Sequence, residues 1–388
     1  MPHATLMNFD VFTRINALIE RDNKSTTYKF ALLRGVIDII QDHSPFVTHL
    51  NDRVHIPLGL LVEKWLLYYY PILESTFLIP QINGPGNRLR FQTNFELLIQ
   101  LYASRGGFSA FYNDLRGKGL PPDVQAIFGK LIHEIRDTII MMPMKHIGYS
   151  LSQQFYSIFT YENGRRRHSG ATADREYLIN NLGSFSIPAD YYQAFKVLGS
   201  FINGKDSILV KWAEFSVNAS GRQISMHQVM DEVLKSPITQ REISASKKLY
   251  EAILRSEGAV FCVWSGKKIN EFDVDHMIPF SVWKNNDLWN LLPSQRSINS
   301  KKKDKIPTPD FLEHCQDRIH HYWNLVYNKE SLRFMKEFNV ALLGQQASSD
   351  DVAVTRADPA EWNLRGIEQL KESCRYLITQ RGFEEWKL

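Results

Sequence analysis

Between Phe272 and Pro307 the chain reads FDVDHMIPFSVWKNNDLWNLLPSQRSINSKKKDKIP. An aspartate and a histidine, Asp275 and His276, stand side by side in it. An asparagine, Asn299, follows within a Lys-rich segment that has the composition of a helix. Phe272-Asp-Val-Asp-His has the pattern of a buried strand that ends before a turn at Pro279. On a strand, adjacent side chains point to opposite faces, so one of the pair can hold a metal ion while the other faces a nucleophilic water. Asn299 adds a neutral oxygen from a second element. A carboxylate ligand, an amide ligand and an imidazole base are what metal-assisted hydrolysis of a phosphodiester requires.

Asp273-Val-Asp275-His276-Met-Ile-Pro279, then Asn290 in Trp-Asn-Leu-Leu, then Asn299 followed by Lys302, resembles the HNH (ββα-metal) endonuclease motif in its Asp-His-Asn form. It is similar to the HNH domains of RNA-guided CRISPR effector nucleases and of bacterial restriction and phage-defence proteins. The resemblance implies Asp275 and Asn299 as metal ligands, His276 as the general base with its imidazole exposed for chemistry, and Asn290 as the brace of the catalytic loop. Many members carry Cys-x-x-Cys before the catalytic strand and again near the last Asn, closing a structural zinc site. Here Cys262 is followed by Ser265 and no Cys lies near Asn299, so no structural zinc is expected and Cys262 reads as a small buried apolar residue.

Two hard oxygen ligands favour Mg²⁺, with Mn²⁺ as a substitute, and leave waters and the scissile phosphate to fill an octahedron. Asp273 shares a strand face with Asp275 and either assists the metal or plays a structural part. Lys301, Lys302, Lys303 and Lys305 read as phosphate clamps, with Lys302 the first to meet the scissile phosphate. Outside such a motif the same run would be a solvated face. Trp283 and Trp289 read as core of a small ββα unit.

The elements that must position these residues are mostly helical. Of 388 residues, 44% are hydrophobic and 23% charged, the balance of an ordinary globular chain. A net charge of +4 does not announce a nucleic-acid binder, so any basic surface must come from local clustering. Three widely spaced Cys (Cys262, Cys315, Cys374) argue against a disulfide framework and fit a reducing cytoplasm. The N-terminal residues show no signal-peptide pattern. The longest apolar stretch, around Leu58 to Leu73, contains Glu63 and Lys64 and is too short and charged to span a bilayer.

Apolar spacing predicts helices over 9–43, 58–73, 92–104 and 122–143, then from Pro188 to Phe201, from Asp206 to Phe215, and over 225–235 and 239–256. The Tyr68-Tyr69-Tyr70 triplet reads as one face of a buried helix rather than a base-stacking platform. Leu151 to Tyr161 fits either a strand or an aromatic-rich helix. Arg165, Arg166 and Arg167 lie in a Gly/Ser-flanked loop that reads equally as a phosphate-contacting loop or a solvated turn. Helices are expected again over 309–328, 330–345 and 360–380. His314, Cys315, His320 and His321 lack the spacing of a metal site.

The expected architecture is mainly α. A large helical N-terminal region (1–150, with a helical or mixed platform over 151–255) precedes a ββα-metal HNH nuclease module (256–310) and C-terminal helices packing on the nuclease (311–388). The leading functional reading is a Mg²⁺-dependent DNA endonuclease serving as the nuclease effector of bacterial anti-phage defence. A second is the HNH-bearing subunit of an RNA-guided interference complex, with a guide RNA among its partners. A third is a non-catalytic DNA-binding or assembly protein, against which the intact Asp275, His276 and Asn299 argue. Expected partners are DNA and a sensor or complex protein, without membrane. Since one HNH site cuts one strand, a homodimer is a further expectation.

Overall fold

In the computed structural model the described residues are 9–42, 44–84, 86–148, 158–163, 172–202, 208–233, 235, 243–343 and 359–388. The chain divides into two compact units, Met1–Pro237 and Ile238–Leu388. Helix dominates both. Among the described residues no helix is long and apolar enough to cross a membrane.

The first unit contains α1 (Phe9–Glu20), α2 (Tyr28–Gln41), β1 (Thr48–Leu50), β2 (Arg53–Pro57), α3 (Leu58–Glu74), α4 (Gln92–Ala103), α5 (Gly107–Asn113), α6 (Pro122–Ile139), β3 (Thr160–Glu162), α7 (Arg175–Asn181), β4 (Ser184–Pro188), α8 (Ala189–Ile202), α9 (Ile208–Ala219) and α10 (Met226–Val233). α3 is apolar on nearly every side, which makes it the central helix of a core rather than a surface one. α2, α4, α6, α7 and α10 pack around it. Tyr68, Tyr69 and Tyr70 are all buried on it. The Tyr68 hydroxyl donates to Asp38, and the Tyr69 hydroxyl lies 3.0 Å from that of Thr27. At Gly59 a Cβ would stand 1.9 Å from the carbonyl oxygen of Leu178, so α3 and α7 meet closer than any side chain allows.

Helices alone do not describe this unit. β1, β2, β4 and β3 form one antiparallel sheet in that order, with Val54 opposite Ile187 and Ile56 opposite Phe185. These four side chains are fully buried, and their cross-strand pairs close one side of the core. β1 and β2 add to the helical reading of 1–150, being too short for periodicity to separate them from the apolar helix that β2 enters. Of Leu151 to Tyr161, residues 151–157 lie outside the described residues and 160–161 belong to β3. Arg165, Arg166 and Arg167 also lie outside them.

The second unit holds α11 (Ser244–Glu257), β5 (Val260–Phe261), β6 (Lys268–Ile269), β7 (Asp273–His276), α12 (Phe280–Trp283), β8 (Leu291–Ser294), α13 (Arg296–Lys302), β9 (Ile306–Pro307), α14 (Pro309–Lys329), α15 (Ser331–Phe338), α16 (Pro359–Thr379) and β10 (Glu385–Trp386). α11 stops at Gly258, whose φ of +69° supplies the left-handed cap. α14 starts where Thr308 accepts a hydrogen bond from the Phe311 amide at 3.2 Å and Pro309 opens the first turn.

β7 and β8 pair antiparallel, with Asp275 opposite Leu292 and His276 opposite Leu291. With α13 they make the ββα unit. Its own core is small, and neighbouring helices complete it through buried polar tips. Tyr250 of α11 donates to the Leu291 carbonyl at 2.8 Å, and Trp323 of α14 donates to the Trp289 carbonyl at 2.8 Å. Arg318 of α14 donates to the Val263 carbonyl at 2.7 Å and to that of Trp264 at 3.2 Å. Trp289 is fully buried, while Trp283 is half-buried and meets it edge-on.

Candidate active site

β7 ends on the two residues of interest, and both are buried: Asp275 is 2% and His276 1% exposed. Each oxygen of the Asp275 carboxylate has a donor. Trp264 Nε1 donates to Oδ2 at 2.7 Å, and Lys302 Nζ donates to Oδ1 at 3.2 Å. Lys302 also donates to the His276 carbonyl at 2.6 Å. Two residues earlier on the strand, Asp273 is half-buried, and its Oδ2 accepts from Asn299 Nδ2 at 3.3 Å. Strand alternation and one turn of α13 thus bring Asp273, Asp275, Asn299 and Lys302 into one cluster.

Two sequence expectations change. The His276 imidazole is not exposed: Phe280 packs against it with ring centroids 5.6 Å apart, and Asn286 Oδ1 lies 3.0 Å from Nε2. Lys302 is not a surface clamp either, because its side chain is fully buried against Asp275. It sits on the inward face of α13, while Lys301 on the outward face and Lys303 just past the helix end are exposed. Losing one partner of such a buried pair typically costs about 3–5 kcal/mol, because the other charge is left unpaired. Lys305 is also engaged, in an ion pair with Glu384. Lys301 and Lys303 remain the outward-facing members of the run.

Asn290 is fully buried and ties together the segment that follows β7. Its Oδ1 accepts from the Ile278 amide at 2.8 Å and its Nδ2 donates to the Ile278 carbonyl at 3.1 Å. Sequence reading missed the residues that secure the other end of this loop. Asp287 Oδ2 accepts from Asn285 Nδ2 at 2.7 Å and from Trp289 Nε1 at 3.2 Å. Glu337 of α15 accepts from the Leu288 amide at 2.7 Å and from Arg333 at 2.8 Å. Glu337 lies far along the chain, and its helix carries no motif that would have pointed to it.

Burial, and then Asp287 beside it, push the Glu337 carboxyl up to about 7. A carboxyl raised above its ordinary 4.5 contributes stability that is complete below that value and is lost as pH rises through about 7. Glu337→Gln keeps an acceptor for Leu288 and removes the titration. It should flatten the thermal stability profile between pH 4.5 and 7 and raise the melting temperature above pH 7, by a free energy on the order of 1–3 kcal/mol. Melting curves at half-unit pH steps check this, and a variant that keeps the parental slope contradicts it.

The knuckle before β7 is organised by hydrogen bonds. The Gln295 amide donates to Cys262 Sγ at 3.3 Å, and Ser265 Oγ donates to Gln295 Oε1 at 2.9 Å. Cys315 Sγ reaches the Trp264 carbonyl at 3.7 Å. Among the described residues no three His, Cys, Asp or Glu side chains gather as a metal site. The gathered oxygens are two carboxylates and an amide. Carboxylate and amide oxygens are the donor types a hard cation takes.

The family model described as "Domain of unknown function (DUF8808)" matches residues 8–233. The chain belongs to the DUF8808 family. A second model, described as "HNH endonuclease", matches residues 262–308, so this DUF8808 protein carries an HNH endonuclease domain in its second unit. The matched stretch runs from Cys262 of the knuckle through β7, β8 and α13 to Thr308. No curated protein and no solved structure matches the DUF8808 chain.

Proposed function

We propose that this DUF8808 protein is a Mg²⁺-dependent endonuclease that hydrolyses DNA phosphodiester bonds, acting as the nuclease effector of a bacterial anti-phage defence system. The observation that carries the reading is that Asp273, Asp275, His276 and Asn299 all lie on the one ββα unit that matches the HNH endonuclease model, with Asn299 bonded to Asp273. Asp275 and Asn299 are the ligands, with Asp273 holding Asn299 in place. The bound ion would stabilise negative charge on the phosphate and on the leaving oxygen. Trp264 and Lys302 hold the Asp275 carboxylate. The His276 imidazole, whose Nε2 lies 3.0 Å from the Asn286 oxygen, is the base that takes the proton of water. Asn290 keeps the 277–290 loop closed over the imidazole, so entry of substrate must displace Phe280 or Asn286 from it. Lys301 and Lys303 meet the DNA backbone.

The first unit, which is the DUF8808 match, carries recognition or activation in this reading. Its partner is a sensor protein or the target nucleic acid. A modest net charge of +4 makes DNA affinity from two exposed lysines weak and steeply salt-dependent. The test is incubation of the purified chain with supercoiled plasmid across Mg²⁺, Mn²⁺ and EDTA. Nicking that requires the divalent ion and vanishes in EDTA is the expected result. No cutting of DNA at any ion concentration, in the presence of partners co-purified from the native operon, overturns it. Co-purified guide RNA would move the protein to an RNA-guided complex.

A further inference from the structure

Asp275 carries the chemistry of the reading above, and the next inference rests on that reading. Each oxygen of its carboxylate has a donor, Trp264 on Oδ2 and Lys302 on Oδ1, and neither belongs to the Asp-His-Asn trio. Lys302 comes from the end of α13. Trp264 comes from the knuckle and donates through Nε1 at 2.7 Å while only 1% exposed. A buried indole N–H needs a partner, and here that partner is the proposed metal ligand. The ring is itself held from outside the HNH match. Phe311 of α14 stacks on it at 5.9 Å, and Trp386 of β10 meets it edge-on at 5.0 Å. Trp386 also packs edge-on against Phe311 at 5.1 Å.

β10 is fixed by backbone as well as by aromatic contact. It pairs parallel with β9, immediately after α13. The Ile306 amide donates to the Glu384 carbonyl at 2.8 Å, and the Thr308 amide to the Trp386 carbonyl at 3.0 Å. The Lys302 ammonium lies 5.8 Å from the centre of the Trp264 ring. The same short strand therefore braces the ring that holds Oδ2 and the segment that follows the lysine holding Oδ1.

We propose that Trp264 is a positioning residue for Asp275 and that Trp386 positions Trp264, so that β10 sets the metal affinity of the HNH domain from outside it. A carboxylate free to rotate must be ordered when the ion binds. One already held on both oxygens does not bear that cost, and this is preorganisation in its simplest form. The effect falls on ion binding, not on proton transfer at His276.

The test uses the full chain and measures Mn²⁺ binding directly by calorimetry, alongside plasmid nicking across Mn²⁺ concentration. Trp264→Phe keeps the stacked ring and deletes only the N–H donor. It should weaken Mn²⁺ binding about tenfold, the scale of a lost hydrogen bond to a charged group, while nicking at saturating Mn²⁺ stays near the parental rate. Trp386→Ala should weaken binding in the same direction, and the double variant should bind no more weakly than Trp264→Phe alone, since both act along one line. Should Trp386→Ala lower the folded fraction, Trp386→Phe supplies the comparison. Parental Mn²⁺ affinity in Trp264→Phe overturns the inference, as do fully additive losses in the double variant. Asp275→Ala is the control that separates the two levels. If the parent binds Mn²⁺ and the folded fraction of Asp275→Ala does not, the assignment of Asp275 as metal ligand stands whatever Trp264→Phe shows. A parent that binds no Mn²⁺ removes both.

Discussion

His276→Ala should lower DNA nicking by about 10²- to 10⁴-fold, the usual cost of losing a positioned general base. The structure adds a condition to that expectation. His276 is buried, packs on Phe280 and bonds to Asn286, so truncation leaves a cavity as well as a missing base. Part of any loss will be structural, on the order of 1–3 kcal/mol for a side chain cut away in a packed site. His276→Gln keeps most of the volume and an amide in place of the imidazole. The measurement is single-turnover nicking at saturating Mg²⁺, with melting temperature recorded for each variant. Both substitutions should lower catalysis by that factor, and only Ala should cost appreciable stability. A His276→Gln protein that nicks at the parental rate would remove His276 from the chemistry.

Asp275 and Asn299 should separate in the same experiment. Asp275→Ala deletes a proposed ligand and also strands the fully buried Lys302 ammonium, at a cost of about 3–5 kcal/mol. The protein should therefore lose both metal response and stability. Asn299 is half-buried and touches Asp273, so Asn299→Ala should leave the melting temperature within a few degrees of the parent. Its nicking should need at least about tenfold more Mg²⁺, the scale of one lost ligand contact, with partial rescue by Mn²⁺. Titration of Mg²⁺ against nicking rate reads this. An Asn299→Ala chain with the parental Mg²⁺ midpoint would take the amide out of the ligand set, leaving Asp273 with Asp275 as the oxygen pair.

The same comparison shows where sequence reasoning stopped. The HNH match over 262–308 was legible because such a motif packs its residues into a short span. A strand of period two and a helix of one to two turns then allow few arrangements. The long helices were legible for a similar reason: the pattern of α3, or of Leu312, Cys315, Ile319 and Trp323 on α14, repeats over many residues at helical spacing. β2 and β4 were not, although Arg53-Val-His-Ile-Pro alternates buried and half-buried. Strands of so few residues acquire their identity from the partner across the ladder, and that partner lies more than a hundred positions away.

Burial is likewise a property of the assembled unit. Lys302 reads in the sequence as the first of four lysines to meet the scissile phosphate, yet it falls on the face of α13 that meets β7, where Asp275 and the His276 carbonyl bind its ammonium. Sequence determined that an HNH motif was present and which residue types it held. Tertiary structure alone decided that Trp264 and Lys302 grip Asp275, that Glu337 accepts from the Leu288 amide, and that Trp386 of the last strand reaches back to Trp264. Each of these contacts joins residues that no local periodicity relates, because desolvation leaves a buried charge or N–H to be satisfied by whichever partner the folded chain brings within reach.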